Sequence, residues 1–184
     1  MLTRDDALKL VREWISNEKI RKHVLAVEAI MRGLARFFGE DEELWGLVGL
    51  LHDLDYDKVR DNMEMHARLT AEFLRDKLPS KAIKAILSHN EHTGVKPSSK
   101  LAYALIAADQ ISGLIIATAL VMPSRKLEEV KVKSVRKKFK QKDFARGVRR
   151  DRILEALKHL GIDLNKLIEI SLESLKPIHK ELGI

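Results

Sequence analysis

The sequence predicts an all-α fold, and three observations carry that reading. Apolar residues recur at three- and four-residue spacing in one segment after another. Ser, Thr, Asp or Asn stands before several of these segments, and Gly or Pro stands after them. A strand-like alternation occurs in one short stretch, Val130-Lys131-Val132-Lys133. With 184 residues, 45% hydrophobic and 33% charged, the chain reads as one soluble globular domain spanning 1–184 and able to bury its own core.

The elements follow in order. Thr3 with Asp6 resembles a capping box, and Ala7, Leu8, Val11, Trp14 and Ile15 mark one face of a first helix. Ser16 or Asn17 caps a second, which carries Ile20, Val24, Val27, Ile30, Met31, Leu34 and Phe38 and stops at Gly39. Glu42 to Asp53 makes a third, in which Gly46 and Gly49 allow a neighbouring backbone close approach. Met63 to Leu78 reads as a fourth, closed by Pro79, and Ser80 opens a fifth that runs to about Asn90. A loop from Thr93 to Ser99 precedes a long apolar sixth helix. Two more helices, Asp151 to Leu160 and Leu164 to Leu182, are separated by Gly161, with Asp163 as a cap. The expectation is a bundle of about seven to eight helices.

Composition removes several function classes. Without Cys there is no disulfide framework, no cysteine-type zinc finger and no thiol catalysis. The start, Met1-Leu2-Thr3-Arg4-Asp5-Asp6, lacks the basic-then-apolar pattern of a secretion signal. The most apolar stretch, Leu101 to Met122, is interrupted by Asp109, Gln110 and Ser112. The expectation is a cytoplasmic protein with no membrane partner. Charge is unevenly placed: Arg125 to Arg152 holds thirteen basic and four acidic residues, a net of +9 within a chain of +7. Such a segment is either a solvated face or a site for an anionic partner, whether a phosphate ester, a nucleotide or a nucleic-acid backbone.

Histidine and aspartate placement points to chemistry. Five of the seven His fall between residues 23 and 92, at His23, His52, His66, His89 and His92. The third helix is apolar up to its terminal doublet His52-Asp53, and Asp109 interrupts the apolar run Leu105-Ile106-Ala107-Ala108 before Ile111. An isolated buried carboxylate costs several kcal/mol, so it needs a cation or strong donors. Several imidazoles with two carboxylates suit a divalent transition metal; a capping role for each His and an Arg or Lys partner for each Asp are the alternatives. His159 and His179, near late helix ends, read as surface residues.

The order His23, then His52-Asp53, then Asp109 resembles the H…HD…D signature of the HD-domain phosphohydrolase superfamily. The lead-in Leu50-Leu51 to the doublet and Ala107-Ala108 before Asp109 are similar too, and the likeness covers about residues 20–113. It implies a helical bundle of the HD-domain type, with the basic segment 125–152 and the C-terminal helices packed onto the motif region. It also implies that His23, His52, Asp53 and Asp109 hold one metal, with Asp53 able to bridge to a second. His66 and His89 stand where further ligands of two-metal members are expected, with His92 as an additional candidate. The cyclic-dinucleotide branch would need Gly-Tyr-Pro after the histidines; Thr93-Gly94-Val95-Lys96-Pro97 stands there instead.

The expected function is metal-dependent hydrolysis of a nucleotide or other small phosphate ester through a metal-activated water. Asp53 and His52 are the catalytic candidates, and the cofactor is one or two ions of Fe, Mn, Zn, Ni or Mg. Lys131, Lys133, Lys137 and Lys138 are expected to bind substrate phosphate, with the basic segment beside the cleft of His52 and Asp109 and at least one lysine facing it. Asp55 and Asp57 are expected either to act as acid/base groups or to orient ligands, with loop and cap roles as the alternative. The alternatives are a nucleic-acid-binding protein that uses segment 125–152, disfavoured by the 5% aromatic content, and a metal- or ligand-binding module without turnover.

Overall fold

The computed structural model describes residues 2–184, and every regular element among them is helical. Helix α1 (Arg4–Trp14) starts on the Thr3–Asp6 capping box. Helix α2 (Glu18–Phe38) is capped by the Asn17 side chain and stops at Gly39, whose φ of 67° is the left-handed turn that glycine permits. Helix α3 (Glu42–Leu51) is capped by Asp41. It lies hard against α2: a methyl on Gly49 would sit 2.9 Å from the Val27 carbonyl oxygen. That close approach is the one the sequence reserves for glycine.

A short helix α4 (Tyr56–Val59) and a 3₁₀ turn (Met63–Met65) lead to α5 (Arg68–Leu74), α6 (Ser80–His89) and a second 3₁₀ turn (Glu91–Thr93). Helix α7 (Lys100–Val121) is long and apolar enough to span a bilayer by length and composition, but it is the core helix here. It packs against α2, α3 and α6, and also against α8 (Val132–Phe139), α9 (Arg150–Leu160) and α10 (Leu164–Leu175). A 3₁₀ turn (Lys176–Ile178) and α11 (His179–Leu182) complete the chain. One hydrophobic core runs from Ala7 to Leu182 through all these layers.

Three expectations are corrected. The Val130–Lys133 alternation is no strand: Val130 is buried at the end of a 3₁₀ turn, Lys131 is an extended helix cap, and α8 begins at Val132. Val132, Val135 and Phe139 then recur at helical spacing and dock against the core, a pattern that four residues were too short to reveal. The helix expected over Met63–Leu78 breaks at His66 and Ala67, where Ala67 takes φ 69°. The break has a chemical cause, since the Asp55 carboxylate accepts from Ala67 N and Thr70 N and so caps α5 from a distant part of the chain. The last helix is interrupted at Lys176–Ile178, where Pro177 supplies no N–H. With α8 added, the described residues hold nine helices of seven residues or more.

Candidate metal centre

Four helices deliver the candidate ligands to one point. His23 projects from α2, His52 and Asp53 follow α3, His89 ends α6, Asp109 sits midway along α7, and His66 occupies the break before α5. Asp53 Oδ1 lies 3.3, 3.1 and 3.2 Å from Nε2 of His52, His66 and His89. Its other oxygen lies 3.5 Å from His23 Nε2. Asp109 Oδ1 is 3.0 Å from His23 Nε2 and 3.7 Å from His52 Nε2. Two donor sets have their ligand atoms mutually within 4.8 Å, His23/His52/Asp109 and His52/Asp53/His89. They share His52, and Asp53 turns one oxygen toward each side.

The outward edge of every imidazole is already engaged. His52 Nδ1 is 2.7 Å from Gly49 O and His89 Nδ1 is 2.5 Å from Ile86 O, each the carbonyl three residues back on its own helix. His66 Nδ1 is 2.8 Å from Asp55 Oδ1. His23 Nδ1 is 3.3 Å from Ser112 Oγ, whose own proton goes to Asp109 O. Carbonyl and carboxylate partners only accept, so His52, His66 and His89 keep a proton on Nδ1, and it is their Nε2 that faces inward to take a cation, whether a proton or a metal ion. His66 and His89 Nε2 are 3.1 Å apart, two acceptors that can coexist at that distance only with a positive charge between them. Among the described residues, His52 Nε2 is buried without a hydrogen-bond partner. An orphaned inward Nε2, facing imidazoles and two buried carboxylates are the donor set of a divalent cation, so the residues present fit the metal.

Electrostatics agree. Burial opposes ionisation of Asp53 and Asp109, yet the facing imidazoles outweigh it and hold both below the usual carboxylate range. Burial alone would lower the His52 pKa, but Asp53 and Asp109 raise it well above the ordinary imidazole value. For His66, Asp53 and Asp55 overcome burial and raise the pKa to about 9. The centre therefore draws positive charge, as protons when no metal is held there.

The structure sorts the remaining candidates. His92 is exposed on the Glu91–Thr93 turn and outside the cluster, because α6 ends at His89 and the three-residue spacing no longer shares a helix face. Asp55 is fully buried and orients His66, whereas Asp57 accepts from Ser16 N, Ser16 Oγ and Asn17 N and ties down the link between α1 and α2. Lys133 is turned to a separate groove with Phe37 and Asp163. Lys138 lies 4.5 Å over the Phe144 ring and donates to Gln141, and Lys131 and Lys137 are exposed on α8 or at its cap. The part of the basic segment that borders the centre is further on: Ala145, Gly147 and Val148 line an opening of about 330 Å³ together with His23, Asp109, Gln110 and Gly113. Arg150 holds this strap, its guanidinium donating to the carbonyls of Phe139, Gln141, Phe144, Ala145 and Val148.

Sequence reasoning passed over Ser112, Gln110 and Arg152. Arg152 donates to the carbonyls of Ser88 and His89, closing the end of α6 that carries a ligand. Ser112, three residues beyond Asp109, carries a helical-spacing signal; Arg152 sits in a charge run and carries none.

Residues 20–114 match the family model described as HD domain. The chain belongs to the HD-domain family. Its class is accordingly that of an HD-superfamily hydrolase, with the His/Asp cluster as its divalent-metal site. The structure is similar in fold to the HD domain of the L. monocytogenes phosphodiesterase PgpH, with a TM-score of 0.56 and 16% sequence identity over 97% of this chain and 99% of that one. No curated protein sequence matches the chain.

Proposed function

We propose that this HD-domain protein hydrolyses a small phosphate ester, foremost a nucleotide, in the opening beside His23 and Asp109. The convergence of inward-facing imidazole Nε2 atoms with Asp53 and Asp109 at the foot of that opening carries the reading. His23, His52 and Asp109 would hold one ion, and Asp53, His66 and His89 would complete a second position. A divalent ion there supplies a Lewis acid for phosphoryl oxygens and lowers the pKa of water from about 15.7 toward about 7.

The chain's own residues do the rest. Asp53 and Asp109 offset the dication's charge, and the engaged Nδ1 groups keep each imidazole aimed inward. For substrate phosphate, the nearest basic side chain on the strap is Arg146, exposed between the lining residues Ala145 and Gly147 but not itself lining the opening, whereas Lys131, Lys133, Lys137 and Lys138 belong to α8 or its cap. Among the described residues Arg146 pairs with the exposed Asp143 at 3.6 Å, a weak surface contact that a phosphate would compete with readily.

The test is a screen of the purified protein with Mn²⁺, Fe²⁺, Ni²⁺, Zn²⁺ or Mg²⁺ against nucleoside mono-, di- and triphosphates, p-nitrophenyl phosphate and bis(p-nitrophenyl) phosphate. The diester belongs in it because the similar L. monocytogenes domain comes from a phosphodiesterase. The expected result is turnover that a chelator abolishes and that Asp53→Ala lacks. No turnover with any metal, or full turnover in Asp53→Ala, refutes the proposal.

A further inference from the structure

Gln110 follows Asp109 in α7, and both ends of its side-chain amide are committed. Its Nε2 donates to Asp109 Oδ2 at 2.9 Å, and its Oε1 accepts from the backbone N–H of Arg149 at 2.8 Å. Asp109 Oδ2 is thereby occupied, and Oδ1 is the oxygen that faces His23 and His52 Nε2. Without this bond, rotation about the last Asp109 torsion would exchange the two oxygens or present both. The acceptor side fixes the amide against the end of the strap, where Arg149 also pairs with Glu91, two residues past His89, at 3.1 Å. One end of the strap thus reaches the carboxylate ligand on α7 through Gln110 and the end of α6 through Glu91.

We propose that Gln110 is a positioning residue: it selects the Asp109 oxygen offered to the metal and ties that choice to the place of the 145–149 strap. The inference rests on the metal centre proposed above. Among the described residues, Gln110 donates one hydrogen bond to a ligand and bonds to no other member of the cluster, so it acts through Asp109. Partners of this kind, one step removed from a metal, typically alter affinity 10–100-fold when removed, by general experience with such sites on the order of one to two decades.

The test compares the native chain with Gln110→Met, close in shape but unable to donate or accept in this way. Both are titrated with Mn²⁺ by electron paramagnetic resonance and with Co²⁺ by visible absorption. The expected result is an Mn²⁺ affinity weakened by about 10–100-fold and a changed Co²⁺ spectrum, reporting a different carboxylate geometry. Mn²⁺ affinities within twofold together with superimposable Co²⁺ spectra overturn the proposal. A second measurement needs no variant. The chain has two glutamines, Gln110 and Gln141, so their side-chain amide signals are readily separated by nuclear magnetic resonance. On adding Zn²⁺, the Gln110 amide pair and the Arg149 backbone amide should shift while the Gln141 pair stays; a stationary Gln110 pair overturns the proposal. Native protein that binds none of these metals refutes the metal centre itself, an outcome distinct from native binding with an indifferent Gln110.

Discussion

Asp55→Asn isolates the contribution of a residue that touches no metal yet shapes the centre. The carboxylate is fully buried and takes three N–H donors: His66 Nδ1 at 2.8 Å and Ala67 N at 3.2 Å on one oxygen, Thr70 N at 2.9 Å on the other. An amide offers one acceptor oxygen and one NH₂. Whichever way it turns, either Thr70 N or the His66/Ala67 pair meets a donor, so at least one buried N–H is orphaned, at about 1–3 kcal/mol. The surviving bonds lose their charge assistance, about another 1 kcal/mol. The expected loss is about 2–4 kcal/mol, or roughly 5–15 °C in the thermal midpoint of a domain this size. His66 is left with at best a neutral acceptor in place of a carboxylate, which holds its tautomer and basicity less firmly, so Mn²⁺ affinity should weaken by about 10–100-fold. Circular-dichroism melting of the metal-free protein reads the first effect and Mn²⁺ titration the second. A midpoint within about 2 °C of the native value, with unchanged Mn²⁺ affinity, would refute the reasoning that Asp55 both caps α5 and orients a ligand.

Gly49→Ala should place a methyl 2.9 Å from Val27 O and 3.0 Å from Glu28 Cα, all backbone, so α2 and α3 must separate. The expected cost is about 1–3 kcal/mol in chemical denaturation, and a full-strength variant would show that the helices have slack. Mn²⁺ at 100 times its dissociation constant should stabilise the native protein by about 2.7 kcal/mol, seen as a rise in midpoint that chelation reverses; no rise argues against a site formed only in the folded state. Acidity provides a third check. With the folded His66 pKa at about 9 and an unfolded value near 6.5, its contribution to metal-free stability is fully present below about pH 6.5 and is lost as pH rises through about 9. Because a metal must displace that proton, Mn²⁺ affinity should strengthen over the same interval. A metal-free midpoint that climbs from pH 6.5 to 9, or an affinity indifferent to pH there, contradicts the assignment.

The parts of the fold legible in the sequence are those written locally. The cap of α2 at Asn17, its stop at Gly39 and the close approach at Gly49 each follow from one residue's chemistry. The break at Ala67 was not legible, because its cause is Asp55, twelve residues away in sequence, competing for the backbone donors of α5. Likewise α8 was hidden by lysines at positions a strand would leave outward; only its packing against α7 and α10 shows the helical face. In the site, the H…HD…D order named residues that the fold does bring together, since order along the chain is what that resemblance reports. The basic segment is different. Charge says that a stretch seeks anions but not which of its side chains faces the metal, and the path of the strap, set by Arg150 and its carbonyl partners, turns Lys133 away and brings Ala145–Val148 to the opening.

The four imidazoles are held by two kinds of partner, and the difference orders how the centre comes apart. His52 and His89 are aimed by carbonyls of their own helices, Gly49 O and Ile86 O, contacts that exist whenever α3 and α6 are formed. His66 and His23 are aimed by Asp55 and Ser112, which come from other parts of the chain and depend on tertiary packing. Asp109 belongs to the second group as well, since Gln110 and the strap fix its free oxygen. Asp53 faces both sets, three imidazoles on one oxygen and His23 on the other. Loosening the surroundings should therefore release His66, His23 and Asp109 before His52 and His89, leaving Asp53 with the two helix-aimed imidazoles as the most durable part of the site. The HD doublet is durable for a physical reason: it begins one residue past a buried helix whose last free carbonyls already orient its histidine.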